Sequence, residues 1–341
     1  MLGGHREIHA PNEPWILLAL SSLHDPDQAK SKRTNSKHDN PWAVSAMRDF
    51  LTHDQFSDAS REFAISAYNS SLSKSGKSIF LDKTPRYFHI LPWLGELFPE
   101  SKKIWLKRNP LDVAASYLTT WGISPGALAG DPMIPASYDL SIGLQRLADY
   151  ADASPGIFEV QYEKIATDSA RTLEELCGFL EVSYHEVILN YSKNDSLTAL
   201  QEGALGDRKI YKHSKPHANS LGKWSSILER GEIQSLVEVI GRDLFERMGY
   251  PETIQQLNAM GIRFPTASEL SDRRQEILHK DLASPIEALD DTISLARKYY
   301  RLVREAGSLP WFLTRDGWLT RRIKNHLIAS KLGLVRLRKR L

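Results

Sequence analysis

Two short apolar runs, separated by helical patterns, divide the middle of the chain into segments of α/β type. Ile79–Leu81 and Ile104–Leu106 have the length and composition of buried strands. Between them, residues 88–98 place apolar side chains at helical spacing, and Pro110 opens a second helical segment that continues to Trp121. The order strand, helix, strand, helix predicts an α/β fold built on a parallel sheet.

The same patterns predict further elements on either side of this unit. Residues 157–163 form a predicted third strand, whereas polar residues 24–41 and Gly/Pro/Ala-rich residues 122–137 predict loops. Further predicted helices cover 16–20, 43–73 (as two helices), 139–151, 170–180, 228–248, 268–282, 285–306 and 316–338.

Basic side chains follow the two central strands at the points where the strands end. Lys83 and Arg86 come after the first strand, and Arg108 comes after the second. Ligands of parallel sheets bind at the carboxyl ends of the strands, so we expect these three cations to line one pocket. Ser116, two turns into the following helix, is expected to face the same pocket. Three cations beside a helix N-terminus predict a multiply charged anion as ligand.

The block of residues 79–116 resembles the sulfotransferase superfamily, whose sulfuryl donor is 3′-phosphoadenylyl sulfate (PAPS). In that family, an Arg after a strand and a Ser eight residues later bind the 3′-phosphate, and Arg108 and Ser116 have this spacing. The Asp-Lys-Thr-Pro-Arg-Tyr run from residue 82 and the Leu-Phe-Pro-Glu-Ser-Lys run before the second strand are similar to the tyrosylprotein-type and bacterial branch. The resemblance covers about residues 5–250. It implies a P-loop-NTPase-like parallel sheet flanked by helices.

The resemblance also implies which side chains carry the chemistry. Glu13 matches the carboxylate that accepts the proton of the acceptor hydroxyl, and Glu7 is the second candidate. Lys83 would neutralise charge at the transferring group, and Arg86 would assist it or hold the acceptor. The implied reaction is sulfuryl transfer from PAPS to a carbohydrate, peptide or small-alcohol hydroxyl, with no metal required.

A second set of residues would bind the nucleotide. By the same resemblance, Arg108, Ser116 and Lys223 would contact the 3′-phosphate. The basic loop, residues 206–224, would fold over the nucleotide, and Trp224 would anchor this loop in the core. Tyr162 matches a position near the adenine, with a buried tyrosine at a strand end as the equally weighted alternative.

The start of the chain departs from the family pattern. The family's first signature is a strand followed by an Arg/Ser-Gly-Thr-Thr-type loop, which binds the 5′-phosphosulfate and precedes the matched Glu. Only 12 residues precede Glu13 here, and Met1–Gly4 contains nothing of that kind. We therefore expect the first strand and its loop to be missing and the activity of the chain to be weak. The alternative function is a non-catalytic binding or scaffold protein on a degenerate sulfotransferase fold.

Charge is distributed unevenly along the 341 residues. The net charge of +2 implies no general attraction to nucleic acid. Residues 315–341 carry a net charge of +8, however, which leaves −6 for the rest. We expect a sulfotransferase-like domain over 1–251 and a helical extension over 252–341. The basic last helix is expected to pack on the acidic remainder or contact a partner, and an acidic membrane surface is the less favoured alternative.

The remaining sequence features argue against particular kinds of segment and site. Cys177 lies in an apolar helical pattern, which predicts a buried thiol, and no apolar stretch is long enough to span a membrane. No signal peptide is visible, so a cytoplasmic protein is expected. His5 and His9 lack the Glu that a zinc helix requires, and Ser71–Ser78 lacks the first glycine of a phosphate-binding loop and precedes a strand.

Overall fold

The computed structural model describes residues 1–11, 13–23, 41–130, 135–190 and 215–282. All of them belong to one unit, Met1–Leu282. The helices predicted over 285–306 and 316–338 lie outside the described residues, as do residues 206–214 of the predicted basic loop.

Four short strands confirm the predicted parallel α/β arrangement. β1 (Ile8–His9) pairs with β2 (Ile79–Phe80), and β3 (Ile104–Lys107) pairs with β4 (Phe158–Gln161), both in parallel. Within the described residues these pairs are two separate two-stranded sheets, not the single sheet expected. β1 was not predicted, because two residues are too few to show a strand periodicity.

Helices surround both strand pairs. In chain order, the α-helices of the described residues are α1 (Ile16–Ser21), α2 (Pro41–Phe50), α3 (His53–Ser75), α4 (Leu91–Leu97), α5 (Pro110–Trp121), α6 (Pro125–Leu128), α7 (Leu144–Ala153), α8 (Tyr162–Thr167), α9 (Ser169–Leu180), α10 (Trp224–Ile227), α11 (Arg230–Ile240), α12 (Arg242–Arg247), α13 (Pro251–Ala259) and α14 (Ala267–Leu282). Short 3₁₀ turns occupy Leu2–Gly4, Tyr87–His89, Pro135–Tyr138, Glu186–Leu189 and Ala218–Ser220, and a π-helical turn, Asp139–Gly143, leads directly into α7.

Several predicted elements have different boundaries in the structure, and residues 122–137, predicted as a loop, contain helix α6. The third strand ends at Gln161, and Tyr162 is the first residue of α8 rather than the end of a strand. The single helix predicted over 228–248 is two helices, because Gly241 between them has φ +79° and ψ 160°. That backbone conformation suits glycine and interrupts the hydrogen-bond ladder of a helix.

The largest hydrophobic core joins helices from both halves of the described chain. Leu111 of α5 and Phe245 of α12 are fully buried in it, together with Ile254 and Ile277 of α13 and α14. Residues on both sides of position 251 therefore share one core. The division of the chain near that residue stays a prediction.

Two smaller clusters complete the packing. One of them seats α1 on α3 and α4 through Leu17, Leu18, Ala64, Ile90 and Leu97. The other contains Cys177, which is buried beside Leu173 and Leu176 as predicted. No helix in the described ranges has the length and apolar content that a membrane span requires.

The break at Gly241 gives a prediction about stability. A Cβ added there would clash with Cδ2 of Leu270, on backbone that disfavours any side chain. Gly241→Ala should therefore lower the free energy of unfolding by roughly 1–3 kcal/mol, measured by urea denaturation.

Gly178→Ala is the matched control. Gly178 lies inside α9, is exposed, and has no neighbouring atom within 4 Å of an added Cβ. Because alanine favours a helix interior, this variant should be more stable by about 0.5–1 kcal/mol. Equal effects of the two substitutions would contradict the conformation described at Gly241.

Candidate active site

The structure places candidate residues just beyond the carboxyl end of each strand. Glu13 follows β1, Lys83 and Arg86 follow β2, Arg108 follows β3, and Tyr162 follows β4. Within each parallel pair, the carboxyl ends lie at the same edge. The candidates consequently fall into two groups, which we call the Glu13 cluster (Glu13, Trp15, Lys83, Arg86, Tyr117, Asp139) and the Arg108 cluster (Arg108, Asp112, Tyr162, Ser220, Gly222, Trp224).

Glu13 forms the centre of its cluster. Its Oε1 contacts Nζ of Lys83, and its Oε2 accepts a hydrogen bond from the indole Nε1 of Trp15 at 3.2 Å. The Glu13 side chain is 13% exposed, whereas that of Lys83 is 64% exposed. A nearly buried carboxylate thus faces a cation that remains largely in solvent.

Trp15 has a backbone conformation that is unusual for its residue type. Its φ is +59°, in the left-handed region that non-glycine residues rarely occupy. Its backbone N–H donates to Oγ1 of Thr84 at 3.4 Å, while its indole reaches Glu13. The strained residue therefore ties the segment after β1 to the turn after β2. Backbone strain of this kind tends to occur at functional sites.

Asp82 fixes the turn that carries Lys83 and Arg86. Its carboxylate accepts hydrogen bonds from the hydroxyls of Tyr68 at 2.5 Å, Tyr87 at 2.7 Å and Thr84 at 3.0 Å. Burial, reinforced by the charge of Asp82, raises the pKa of both tyrosines, so both hydroxyls remain protonated donors. The turn is thereby held at three points.

Arg86 and Tyr117 meet at Asp139. Nε of Arg86 donates to Oδ1 of Asp139 at 3.2 Å, and the hydroxyl of Tyr117 donates to Oδ2 at 2.6 Å. Burial and then the charge of Asp139 raise the pKa of Tyr117, and the charge of Glu13 adds to the rise. Sequence reasoning missed both Tyr117 and Asp139, because no spacing pattern links Asp139 to the turn 53 residues earlier.

Arg108 is stacked on Tyr162. Its guanidinium carbon lies 4.5 Å from the ring centroid, and its Nη2 donates to the backbone oxygen of Ser220 at 3.3 Å. The hydroxyls of Tyr162 and Ser220 lie 3.0 Å apart. Nε of Arg108 is buried with no hydrogen-bond partner in the described part of the chain. An unpaired buried donor of a cation is suited to an anionic acceptor.

Asp112 ties the turn before α10 to the first turn of α5. Its Oδ2 accepts from the backbone N–H of Gly222 at 2.7 Å, and its Oδ1 accepts from that of Trp224 at 3.0 Å. Burial raises the pKa of Asp112, while these two amides oppose the rise. Sequence reasoning missed Asp112, whose partners lie 110 and 112 residues further on.

Of the other predicted nucleotide residues, Lys223 and Trp224 lie at the end of the same turn, and Ser116 lies on α5. Trp224 is 2% exposed in the largest core, and Lys223 beside it is exposed. Ser116 is half-buried and follows Asp112 by one helical turn, so both residues lie on one face of α5. Arg108 thus precedes α5, Ser116 lies in its middle, and Lys223 lies in the turn that Asp112 ties to its first turn.

His5, His9 and the Ser71–Ser78 segment, which the sequence analysis excluded as a zinc site and a phosphate-binding loop, contact other parts of the chain. Nε2 of His5 lies 2.8 Å from the backbone oxygen of Ser183, and Nε2 of His9 lies 2.8 Å from Oγ of Ser71. Nζ of Lys77 donates to two backbone oxygens near β1. No group of three metal-ligating side chains occurs among the residues that the structure describes.

Comparisons with known proteins give one extended relative. The chain is 29% identical over 283 residues to nodulation protein NoeE of Sinorhizobium fredii, a match that covers 77% of this chain and 64% of NoeE. The chain thus spans less than two thirds of that relative. Among solved structures, the sulfotransferase domain of the curacin biosynthetic pathway gives a TM-score of 0.47 at 18% identity, covering 77% of this chain and 92% of that one. The sulfotransferase domain of the Synechococcus PCC 7002 olefin synthase gives 0.44 at 20% identity, covering 69% and 86%.

The family comparison covers the segment that contains most of the two clusters. The model of the sulfotransferase family matches residues 1–186, which include Glu13, Lys83, Arg108 and Asp139. This chain belongs to the sulfotransferase family.

Proposed function

We propose that this chain transfers a sulfuryl group from PAPS to the hydroxyl of an acceptor. The observation that carries the proposal is the contact between Glu13 and Lys83, which places a nearly buried carboxylate beside an exposed cation at the end of two parallel strands. Family membership supports sulfuryl transfer in general. The choice of PAPS rests on the Arg108 cluster and on the spacing of Arg108 and Ser116.

In this proposal Glu13 is the general base. The acceptor hydroxyl gives its proton to Glu13 as its oxygen bonds to sulfur, and the bond between sulfur and the bridging oxygen of the donor breaks. The electron pair stays on the 5′-phosphate, which leaves as 3′-phosphoadenosine 5′-phosphate. Lys83 neutralises the charge that develops on the bridging oxygen. Glu13 is positioned by its hydrogen bond from Trp15 and its contact with Lys83, which suits a reaction governed by geometry.

The Arg108 cluster would hold the 3′-phosphate. Nε of Arg108 is buried without a partner among the described residues, and Ser116 and Lys223 lie on elements that Asp112 ties together. Tyr162, stacked on Arg108, is the proposed contact to the adenine, since its ring lies beside the same guanidinium. The acceptor is a carbohydrate, a peptide or a small alcohol. A binding protein without turnover is the alternative.

The first test concerns the 3′-phosphate. Calorimetry should show tighter binding of 3′,5′-ADP than of 5′-AMP. Arg108→Ala should weaken 3′,5′-ADP binding by roughly 1.5–3 kcal/mol, the loss of a charge-assisted hydrogen bond. Arg171→Ala, which removes an exposed arginine paired with Glu175 on α9, is the control and should leave affinity unchanged. Equal affinity for the two nucleotides would rule out a 3′-phosphate site.

The second test concerns turnover. Glu13→Gln should lower kcat for transfer from labelled PAPS by about 10²–10⁴-fold, the usual contribution of a general base, with 3′,5′-ADP affinity retained. Glu7→Gln is the matched control, because Glu7 is exposed and was the second candidate for the base.

Each result of the turnover assay has a definite meaning. A loss confined to Glu7→Gln would move the role of general base to Glu7. Tight 3′,5′-ADP binding by a wild-type chain that transfers nothing to any hydroxyl acceptor in a panel would instead favour the binding protein.

A further inference from the structure

We propose that Asp139 is a positioning residue for sulfuryl transfer, because it holds Arg86 and Tyr117 beside the Glu13–Lys83 pair. The proposal rests on the function proposed above. It assigns a role to a side chain that no sequence pattern singled out. Three donors converge on the carboxylate: Nε of Arg86 at 3.2 Å, Nη2 of Arg86 at 3.4 Å and the hydroxyl of Tyr117 at 2.6 Å.

Because the Arg86–Asp139 pair is nearly buried, its role is to orient Arg86 rather than to stabilise the fold. The side chains of Arg86 and Asp139 are 13% and 16% exposed, in contrast to the exposed Lys83. A buried ion pair loses much of its Coulombic gain to desolvation, so its net stabilisation is small, while its geometry is tightly constrained. The two bonds from one guanidinium to one carboxylate fix the plane of Arg86 as well as its position.

The Arg86–Asp139 pair lies next to the proposed reacting groups. Arg86 follows Lys83 by three residues in the turn that Asp82 fixes, and Thr84 between them accepts from the backbone of Trp15. The charges of Glu13 and Arg86 both act on the hydroxyl of Tyr117. The Asp139 and Glu13 carboxylates therefore both contribute to the electrostatic environment of Tyr117.

Asp139 also connects the two clusters. Tyr117 lies on α5 directly after Ser116, and α5 begins just after Arg108. The hydrogen bond from Tyr117 therefore fixes the helix that carries the proposed 3′-phosphate residues relative to the turn that carries Lys83. Asp139 itself is the first residue of a π-helical turn, Asp139–Gly143, a feature that is frequent at functional sites.

Asp139→Asn tests the proposal. The amide keeps the shape of the side chain but loses the charge that aligns Arg86, so we expect kcat for transfer from PAPS to fall at least tenfold. The dissociation constant for 3′,5′-ADP should stay within twofold, since Arg108 is unchanged. A role in stability alone would instead lower the amount of active protein without changing kcat per nucleotide-binding site.

Asp149→Asn is the matched control. Asp149 is an exposed carboxylate on α7, the helix that follows the π-helical turn of Asp139. Its partner is Arg247, not Arg86. We expect its kcat to be that of the wild type. An equal loss in Asp149→Asn and Asp139→Asn would overturn a specific role for Asp139.

Tyr117→Phe provides a second route if Asp139→Asn folds poorly. It removes a single hydroxyl and should lower kcat by about threefold or more with 3′,5′-ADP binding retained. In the double variant, the effect of Tyr117→Phe on kcat should disappear, because both changes break one arrangement. Full wild-type kcat in Tyr117→Phe, or additive losses in the double variant, would overturn the proposal.

The assay separates the two proposals. A wild-type chain that transfers no sulfuryl group overturns the proposed function and the role of Asp139 with it. An active wild type whose Asp139→Asn variant keeps its kcat overturns the role of Asp139 alone. A selective loss of kcat in Asp139→Asn, with the control unchanged, supports both.

Discussion

The parallel pairing of β1 with β2 is the constraint on which the Glu13 cluster depends. Ile8 pairs with Ile79 and His9 with Phe80, and backbone oxygens of Glu7 and His9 accept from Ile79 and Leu81. This short register is nevertheless enough to bring the segment after β1 onto the turn after β2, 70 residues away along the chain. The strained Trp15 and its bond to Thr84 then hold Glu13 against Lys83. Two residues of backbone pairing thus determine which cation meets which carboxylate.

Helix α5 connects the Glu13 cluster to the Arg108 cluster. Its N-terminal turn carries Asp112, which binds the backbone of the turn before α10, and its middle carries Tyr117, which binds Asp139. The helix is held at both points by buried or part-buried hydrogen bonds and packs in the largest core through Leu111. A rigid element between two clusters is a physical means of keeping their spacing constant, as the proposed in-line transfer would require.

The sequence predicted which residues follow the strands, but not the contacts that position them. Lys83, Arg86 and Arg108 were predictable, because apolar runs followed by cations mark the carboxyl ends of strands. The prediction that both strands are buried was wrong, since β2 is half-buried and Leu106 of β3 is exposed. Asp112 and Asp139 were not predictable, because each contacts partners that only the fold brings near, and a single aspartate near the start of a helix is usually a solvated residue. The sequence pattern did not predict the helix break at Gly241 within residues 228–248, because a lone glycine inside a helical pattern is usually tolerated.

The two ion pairs of the Glu13 cluster differ in the freedom of their cations. Arg86 is nearly buried and is bound through two nitrogens, so releasing it from Asp139 would leave a charge in a poorly solvated place. Lys83 is 64% exposed and contacts one oxygen of Glu13, so water can replace that carboxylate at little cost. A polyanionic ligand would therefore displace Glu13 from Lys83 far more readily than Asp139 from Arg86. Under the proposed function, Arg86 would keep the shape of the site while Lys83 would follow the charge of the transferring group.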